Sequence, residues 1–340
     1  MKSSVNIFDV AKFAGVSPAT VSRVINGNPK VKPDTRKKVE EAIKRLRYHP
    51  NVSAQRLAGG KSKTVAVVLP HYEGVFFSYY AVEILRGVGI ACDALGLDLL
   101  LYVANKSRKD LPISAGGLIF ADVLSQYNYL KNAVDMGLPT IVINSIVDDL
   151  PVNCFAIDNR GGAKDAVSYL ISLEHKKIAH ITGDLKTQAA ADRLSGYREA
   201  ILKAGLEINP NYVQEGDFSR LSARLAAEKL VRLNDRPTAI FVASDDMALE
   251  VISTLKDHGV NVPRDISIIG FDDSPSAVQG HIPLSTVKQP LLEMAREAVE
   301  ELHRIIENKK GRQIYMQNVM PHKVFLHTEL IIRSSCQPPV

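Results

Sequence analysis

A chain of 340 residues with 46% hydrophobic and 23% charged side chains has the composition of a globular protein of about two domains, which excludes wholesale disorder. Three cysteines (Cys92, Cys154, Cys336) cannot all pair and lack metal-ligand spacing, so a reduced compartment and no structural metal are expected. The formal net charge of +5 conceals an asymmetry: residues 1–63 hold 14 Lys and Arg against 4 Asp and Glu, which leaves the rest of the chain net negative. A small basic head on a slightly acidic body points to a polyanion as the partner of the head alone. Met1–Asn6 lacks the apolar run of a signal peptide, and no stretch of 18 apolar residues occurs. The expectation is a cytoplasmic protein with no membrane span.

The head reads as three short helices. Ile7, Val10, Ala11 and Ala14 recur at i, i+3, i+4, i+7. Gly15 ends that stripe, Ser17 can cap a second helix, and Pro18 fits its first turn. Val21, Val24 and Ile25 form the second apolar face. Pro33 and Asp34 open a third helix with the stripe Val39, Ala42, Ile43 and Leu46, ringed by Arg36, Lys37, Lys38, Lys44, Arg45 and Arg47. Two short helices joined by a glycine-containing turn make a helix-turn-helix, which lays the start of its second helix in the major groove. That places Ser17, Pro18, Ala19, Thr20, Ser22 and Arg23 at or near a DNA duplex.

Asp9-Val10-Ala11 followed by Ala14-Gly15-Val16-Ser17-Pro18-Ala19-Thr20-Val21-Ser22-Arg23-Val24-Ile25-Asn26-Gly27 resembles the DNA-binding head of the Lac repressor (LacI/GalR) family of bacterial transcriptional regulators. Tyr48-His49-Pro50-Asn51 and Ala54-Gln55-Arg56-Leu57-Ala58 are similar to that family's hinge helix. The likeness continues through Ile269-Gly270-Phe271-Asp272 and Gln289-Pro290, nearly the whole chain. It implies that Asn26 joins the DNA-contacting set. It also implies that two hinge helices pair in the minor groove, where Leu57 wedges between bases and kinks the duplex. Residues 51–58 are too few to form a stable helix alone in water, and Gly59-Gly60 follow them, so their ordering would be part of the binding equilibrium.

From Thr64 the pattern alternates apolar strands with amphipathic helices. Strands are expected at 65–69, 97–103, 117–121, 140–144, 178–183, 239–243 and 267–271. Helices are expected at 82–95, 124–136, 160–173, 192–204, 219–233, 247–258 and 291–307. Continuous apolar strands alternating with helices argue for doubly wound parallel sheets covered on both faces. The pattern restarts near Ile178, so two similar α/β lobes are expected. The resemblance implies a two-lobed, periplasmic-binding-protein-like body joined by three crossovers. The expected division is 1–50 for the all-α head, 51–62 for hinge and linker, 63–158 with 288–318 for the first lobe, and 159–287 with 319–334 for the second. Between residues 103 and 117 only about a dozen residues stand where most of the family has a full helix.

Ligands of open parallel sheets bind beyond the carboxyl ends of the strands. Those ends carry Asp122, Asn144, Asp158, Asp184, Asp245 with Asp246, and Asp272 with Asp273; Tyr72, Phe76, Phe77, Tyr79 and Tyr80 cluster before the helix at 82–95. Carboxylates, an amide and aromatic faces suit a polyhydroxylated ligand, and Arg193 can add a forked donor. The resemblance implies an effector cleft lined by Arg193, Asp245 and Asp272. Phe76, Phe77 and Asp158 complete the candidate set, although each Asp could equally be a helix cap.

No GxGxxG follows a strand, and no Walker loop, HExxH or CxxC spacing occurs, so neither an enzyme nor a bound cofactor or metal is expected. A secreted solute-binding protein would share the body but not the basic head. The expectation is a transcriptional repressor of carbohydrate-utilisation genes. It would bind a palindromic operator as a homodimer, possible association into tetramers being left open, and respond to a small sugar-like effector. A corepressor ligand or corepressor protein is the alternative.

Overall fold

The computed structural model describes residues 6–25, 28, 30–46, 63–70, 75–104, 115–123, 126–307 and 321–340. The hinge at 51–62 with Leu57, and Asn26 in the head, lie outside the described residues. The chain divides into two compact units, 1–63 and 64–340.

The first unit is helical: α1 (Ile7–Ala14), α2 (Pro18–Ile25) and α3 (Pro33–Leu46). The Asn6 side chain accepts from the Phe8 and Asp9 backbone amides and Asp9 accepts in return from the Asn6 amide, a capping box that satisfies the first helix's orphan donors. Gly15 ends the helix in the left-handed region at φ 65°, where a β-carbon would be strained. Val10, Ala11, Val21, Val24, Val39 and Ala42 are buried together, and Ile7, Ala14, Ile25, Ile43 and Leu46 pack around them. Each expected stripe thus supplies one wall of a shared core.

In the second unit a six-stranded sheet runs β11–β5–β4–β3–β1–β2, from β1 (Thr64–Leu69), β2 (Asp98–Val103), β3 (Gly117–Ala121), β4 (Thr140–Ile143), β5 (Asn153–Ile157) and β11 (Lys323–Leu326). All its pairings are parallel. Alternate residues of β1 serve opposite cores. Val65, Val67 and Leu69 pack with α4 (Tyr79–Leu95) and α10 (Leu291–Glu307). Ala66 and Val68 pack on the side of α5 (Tyr127–Asp135). Burial on both faces explains the unbroken apolar strands.

A second parallel sheet runs β7–β6–β8–β9, from β6 (Ile178–Ile181), β7 (Val213–Gln214), β8 (Ala239–Val242) and β9 (Ser267–Ile269). It lies between α6 (Asn159–Ser172) with α7 (Gln188–Lys203) on one face and α8 (Arg220–Val231) with α9 (Asp245–Asp257) on the other. The chain returns through β10 (Thr286–Lys288), which pairs antiparallel with β12 (Glu329–Ile331).

One boundary differs from expectation. Of the stretch expected in the second lobe, the described residues 321–334 do not go there as a block: β11 pairs with β5 and extends the first sheet, and only then does the chain reach β10 through β12. The backbone hydrogen bonds of Lys323–Leu326 find their partners on β5, a choice that four residues of sequence do not display.

Gly87 marks the closest approach of two helices. A β-carbon there would lie 2.5 Å from the Leu292 carbonyl oxygen and 2.8 Å from the Ala295 Cβ. Gly87→Ala should therefore push α4 from α10 and lower stability by about 1–3 kcal/mol, as other overpacked contacts do. Denaturant unfolding of the full chain measures this; an unchanged midpoint would show that the helices can part freely.

Candidate functional site

The head presents the start of α2. Ser17 Oγ accepts from the Thr20 amide at 3.2 Å and shares a hydrogen bond with Thr20 Oγ1 at 2.9 Å, which fixes the helix entry. With Val21 and Val24 turned into the core, Ser17, Ala19 and Arg23 are exposed and Pro18, Thr20 and Ser22 half-buried. A groove of about 670 Å3 lies at this surface, lined by Ser17, Thr20 and Arg23 together with Asn28, Lys30, Lys32 and Thr35. Arg36 Nη2 donates to the Asn28 carbonyl at 2.7 Å and anchors the connecting loop. Asn28, Lys30, Lys32 and Thr35 are not among the sequence candidates, although Lys30-Val31-Lys32 between two helices was a visible signal. Cations and hydroxyls along a groove beside a helix start can bind phosphates on either side of a base-reading helix.

In the body, α7 brings Arg193 beneath the strand ends, where it is 4% exposed. Its Nε donates to Asn159 Oδ1 at 2.9 Å and its Nη1 to the Ala243 carbonyl. The guanidinium lies 3.8 Å above the Phe271 ring and 6.0 Å from that of Phe218. Asp272 accepts from Gln289 Nε2, and its second oxygen faces the Asp245 amide at 3.4 Å. Asp245 is fully buried; its oxygens accept from Thr286 Oγ1 and from the Ser274 amide at 2.8 Å. Burial, and then the Asp245 charge, push Asp272 far above the ordinary carboxylate range, while Arg193 and Gln289 oppose the shift. Burial likewise raises Asp245 and pulls Arg193 down to about 10, the latter against Asp272, Asp245 and Asp192.

Tyr79, at the start of α4 on the other lobe, feels the charges of Asp272, Asp273 and Asp245. Burial, then Glu83 and those three carboxylates, raise its pKa, so the phenol stays neutral and can donate. Asn144, at the end of β4, has φ 61° and a buried Oδ1 with no partner among the described residues, and the same holds of the buried Gln289 Oε1. Asp122, Asn144, Asp272 and Asp273 all turn through positive φ where strands of the two sheets end. Such strain in non-glycine residues gathers where a site is being shaped.

The structure thus brings Arg193, Asp245 and Asp272 together. Asp158 caps α6, accepting from the Gly161 amide at 2.8 Å, and Phe76 and Phe77 stand 53% and 89% exposed on a short turn before α4. Asp245 is turned inward beneath Asp272 rather than out of the sheet. Tyr79 was visible within the aromatic cluster, whereas Asn159, Gln289 and the face of Phe271 were not read as parts of the site. Among the described residues no three His, Cys, Asp or Glu side chains gather as metal ligands, and no helix is long and apolar enough to cross a membrane.

A helix-turn-helix with a basic groove, on a chain whose two-sheet α/β body gathers polar groups at its strand ends, defines a DNA-binding regulator with a ligand-binding body. Residues 6–51 match the model of the lacI family of bacterial regulatory proteins, and residues 167–336 match the periplasmic binding protein-like domain. Catabolite control protein A of Priestia megaterium is 35% identical over 94% of this chain and 98% of its own length. The regulator CelR of Thermobifida fusca is 33% identical over 96% of both. Among solved structures, the Lac repressor dimer bound to operator and the anti-inducer ONPF aligns with TM-score 0.82 at 27% identity, covering 98% of this chain and all of that one. A CelR–cellobiose complex aligns at 0.70 with 32% identity, over 97% and 99%. The chain belongs to the LacI family and is a DNA-binding transcriptional repressor, not an enzyme.

The buried Asp272 carboxyl ties stability to pH. Burial raises the folded-state pKa of Asp272 above its unfolded value, so the stability it contributes is fully present below the ordinary carboxylate range and is lost as pH rises through the raised value. Asp272→Asn removes the ionisable group, and its melting temperature relative to the parent should climb between pH 5 and pH 8. Dye-reported melting measures it; parallel profiles would show that Asp272 does not hold the proton.

Proposed function

We propose that this protein represses carbohydrate-utilisation genes in the cytoplasm, binding a palindromic operator as a homodimer, with a sugar-like effector between the body's lobes setting operator affinity. The observation that carries the effector reading is the buried Arg193–Asp272 pair on one lobe within electrostatic reach of Tyr79 on the other. A ligand held by both would favour one lobe arrangement, and only such differential binding can shift affinity elsewhere. Asp272 and Tyr79 would contact hydroxyls directly, Arg193 would donate, and Asp245 would hold Asp272 in place. Phe76 and Phe77, exposed at the start of α4, offer faces for the apolar side of a sugar ring. The CelR–cellobiose complex supports a saccharide as the ligand class.

Exposed Val82 and Ile90 on α4 and Leu99 and Leu101 on β2 leave apolar surface on the first lobe. A second copy would cover it, and twofold symmetry would match a palindromic site. In the head, Arg23 is the long donor at the start of α2 and reads a base, while Lys30 and Lys32 meet phosphates. Leu57 would wedge into the minor groove and couple hinge folding to operator binding.

Selection of duplexes from a random library by the full chain, followed by affinity titration, tests this. Arg23→Ala should relax selection at one base pair in each half-site and cost roughly 1–3 kcal/mol. Affinity of the parent should fall on the order of 10³–10⁵-fold between 50 and 200 mM salt if about 6–10 phosphates are neutralised. Equal weakening of Arg23→Ala on all sequences would make Arg23 a phosphate contact. Recovery of no twofold-symmetric site would contradict the dimeric reading.

A further inference from the structure

We propose that Arg333 is a positioning residue for Asp272: by pairing with Asp273 it pins the strained turn 272–273 to the crossover strand β12 and so holds the Asp272 carboxyl in its buried place. The functional consequence, that effector affinity depends on Arg333, rests on the effector reading above; the positioning itself does not. Two consecutive residues with side chains, Asp272 at φ 139° and Asp273 at φ 57°, occupy positive φ, which persists only where the surroundings over-determine it. Three contacts do so from within the second lobe. The Asp272 amide donates to the Val287 carbonyl at 2.7 Å, the Asp273 amide faces Thr286 Oγ1 at 3.4 Å, and the Ser274 amide donates to the buried Asp245 at 2.8 Å. The Asp273 carboxylate supplies the fourth. It accepts from Arg333 Nη2 at 2.6 Å.

Arg333 is itself held on two sides. Its Nη1 donates to the Leu284 carbonyl at 2.8 Å and its amide to Ser285 Oγ at 2.9 Å. The paired side chains are only 18% and 20% exposed. An ion pair between mobile surface side chains would contribute little. A guanidinium fork shared between a carboxylate and a carbonyl, shielded from water, fixes direction as well as distance. Arg333 follows just after β12, which pairs with β10 beside the turn, Ile331 opposite Thr286. Earlier in the same segment, Leu326 is still paired with Ile157 in the first sheet. A turn of the second lobe is thus pinned to a strand that arrives from the first. The groups facing the Asp272 carboxyl are Asp245 at the start of α9, Arg193 on α7, Gln289 after β10 and Tyr79 on α4. Arg333 acts on that carboxyl through Asp273.

The test is the Asp272 titration, read as the melting temperature of each chain against that of its Asp272→Asn derivative between about pH 5 and pH 8. Two variants break the pair from opposite ends: Arg333→Met, and Asp273→Asn, whose side chain tolerates the left-handed backbone. They change the local charge in opposite directions, so a field effect alone would raise the titration in Arg333→Met and lower it in Asp273→Asn. Loss of positioning lets water reach the carboxyl in both, and the pH-dependent gap should shrink to roughly half or less of the parent's in each. The double variant leaves no unpaired charge, serves if Arg333→Met does not fold, and should match a single variant rather than add to it. A gap that does not shrink in a folded variant, shifts of opposite sign, or no gap in the parent overturns the positioning. Calorimetric titration with glucose, galactose, ribose and cellobiose separates this from the effector reading. The neutral sugar that binds the parent should bind the variants on the order of tenfold more weakly. A shrunken gap with unchanged sugar affinity keeps the positioning and overturns the role of Asp272 in holding the effector. Silence of all four sugars overturns the sugar reading, and the melting profiles still decide the positioning.

Discussion

A guanidinium cannot be buried cheaply, and the body of this protein is arranged around one that is. Arg193 loses its water, and the structure returns hydrogen bonds from Asn159 and Ala243, the face of Phe271 and the field of Asp245 and Asp272. Those groups come from four different segments: the start of α6, the end of β8, the start of α9 and the turn after β9. Each must end or begin at the right height for the cation to be satisfied. The cost of error is large, because a buried charge that loses its hydrogen-bond partners keeps its full desolvation penalty.

The same economy explains the strained backbone at Asp272, whose φ of 139° is rare for a residue with a side chain. That conformation lets the Asp272 amide donate to the Val287 carbonyl at 2.7 Å while its carboxyl reaches Gln289 at the start of the return to the first sheet. Gln289 directly precedes Pro290 and α10, which packs in the core of the first lobe. One carboxyl group thus touches both the Asp245 amide and a crossover between sheets. The head works on different physics. Six small or medium apolar side chains form its core, and much of its remaining surface is basic, so its contribution is electrostatic and positional.

Much of this was legible in the residues. The helices of both units carry strong 3.6-residue stripes, and the caps at Ser17, Pro18 and Gly15 stand where the local rules put them. The apolar strands could be read because burial on both faces leaves unbroken hydrophobic runs. The short strands β7, β10 and β12 could not, since two or three residues have no period, and β11 joined the sheet that offered it an edge. The site divides the same way. Arg193 and Asp272 were singled out by the family resemblance, since by the residues alone each strand-end Asp could equally be a helix cap. Asp158 and Asp245 carry the same signal but satisfy backbone amides instead, as a cap and as a buried support. Asn159, Gln289 and the face of Phe271 were hidden because their roles depend on which distant residue folds against them.

The central claim is that the ligand-binding body and the DNA-binding head belong to one equilibrium. Linkage then requires reciprocity: if the effector changes operator affinity by some factor, operator must change effector affinity by that same factor. The direct measurement is calorimetric titration of the neutral sugar that binds, performed on the full chain with and without saturating operator duplex. The account predicts different effector affinities in the two titrations, in a ratio equal to the shift in operator affinity measured with and without sugar. Identical effector affinities, free and operator-bound, would contradict it.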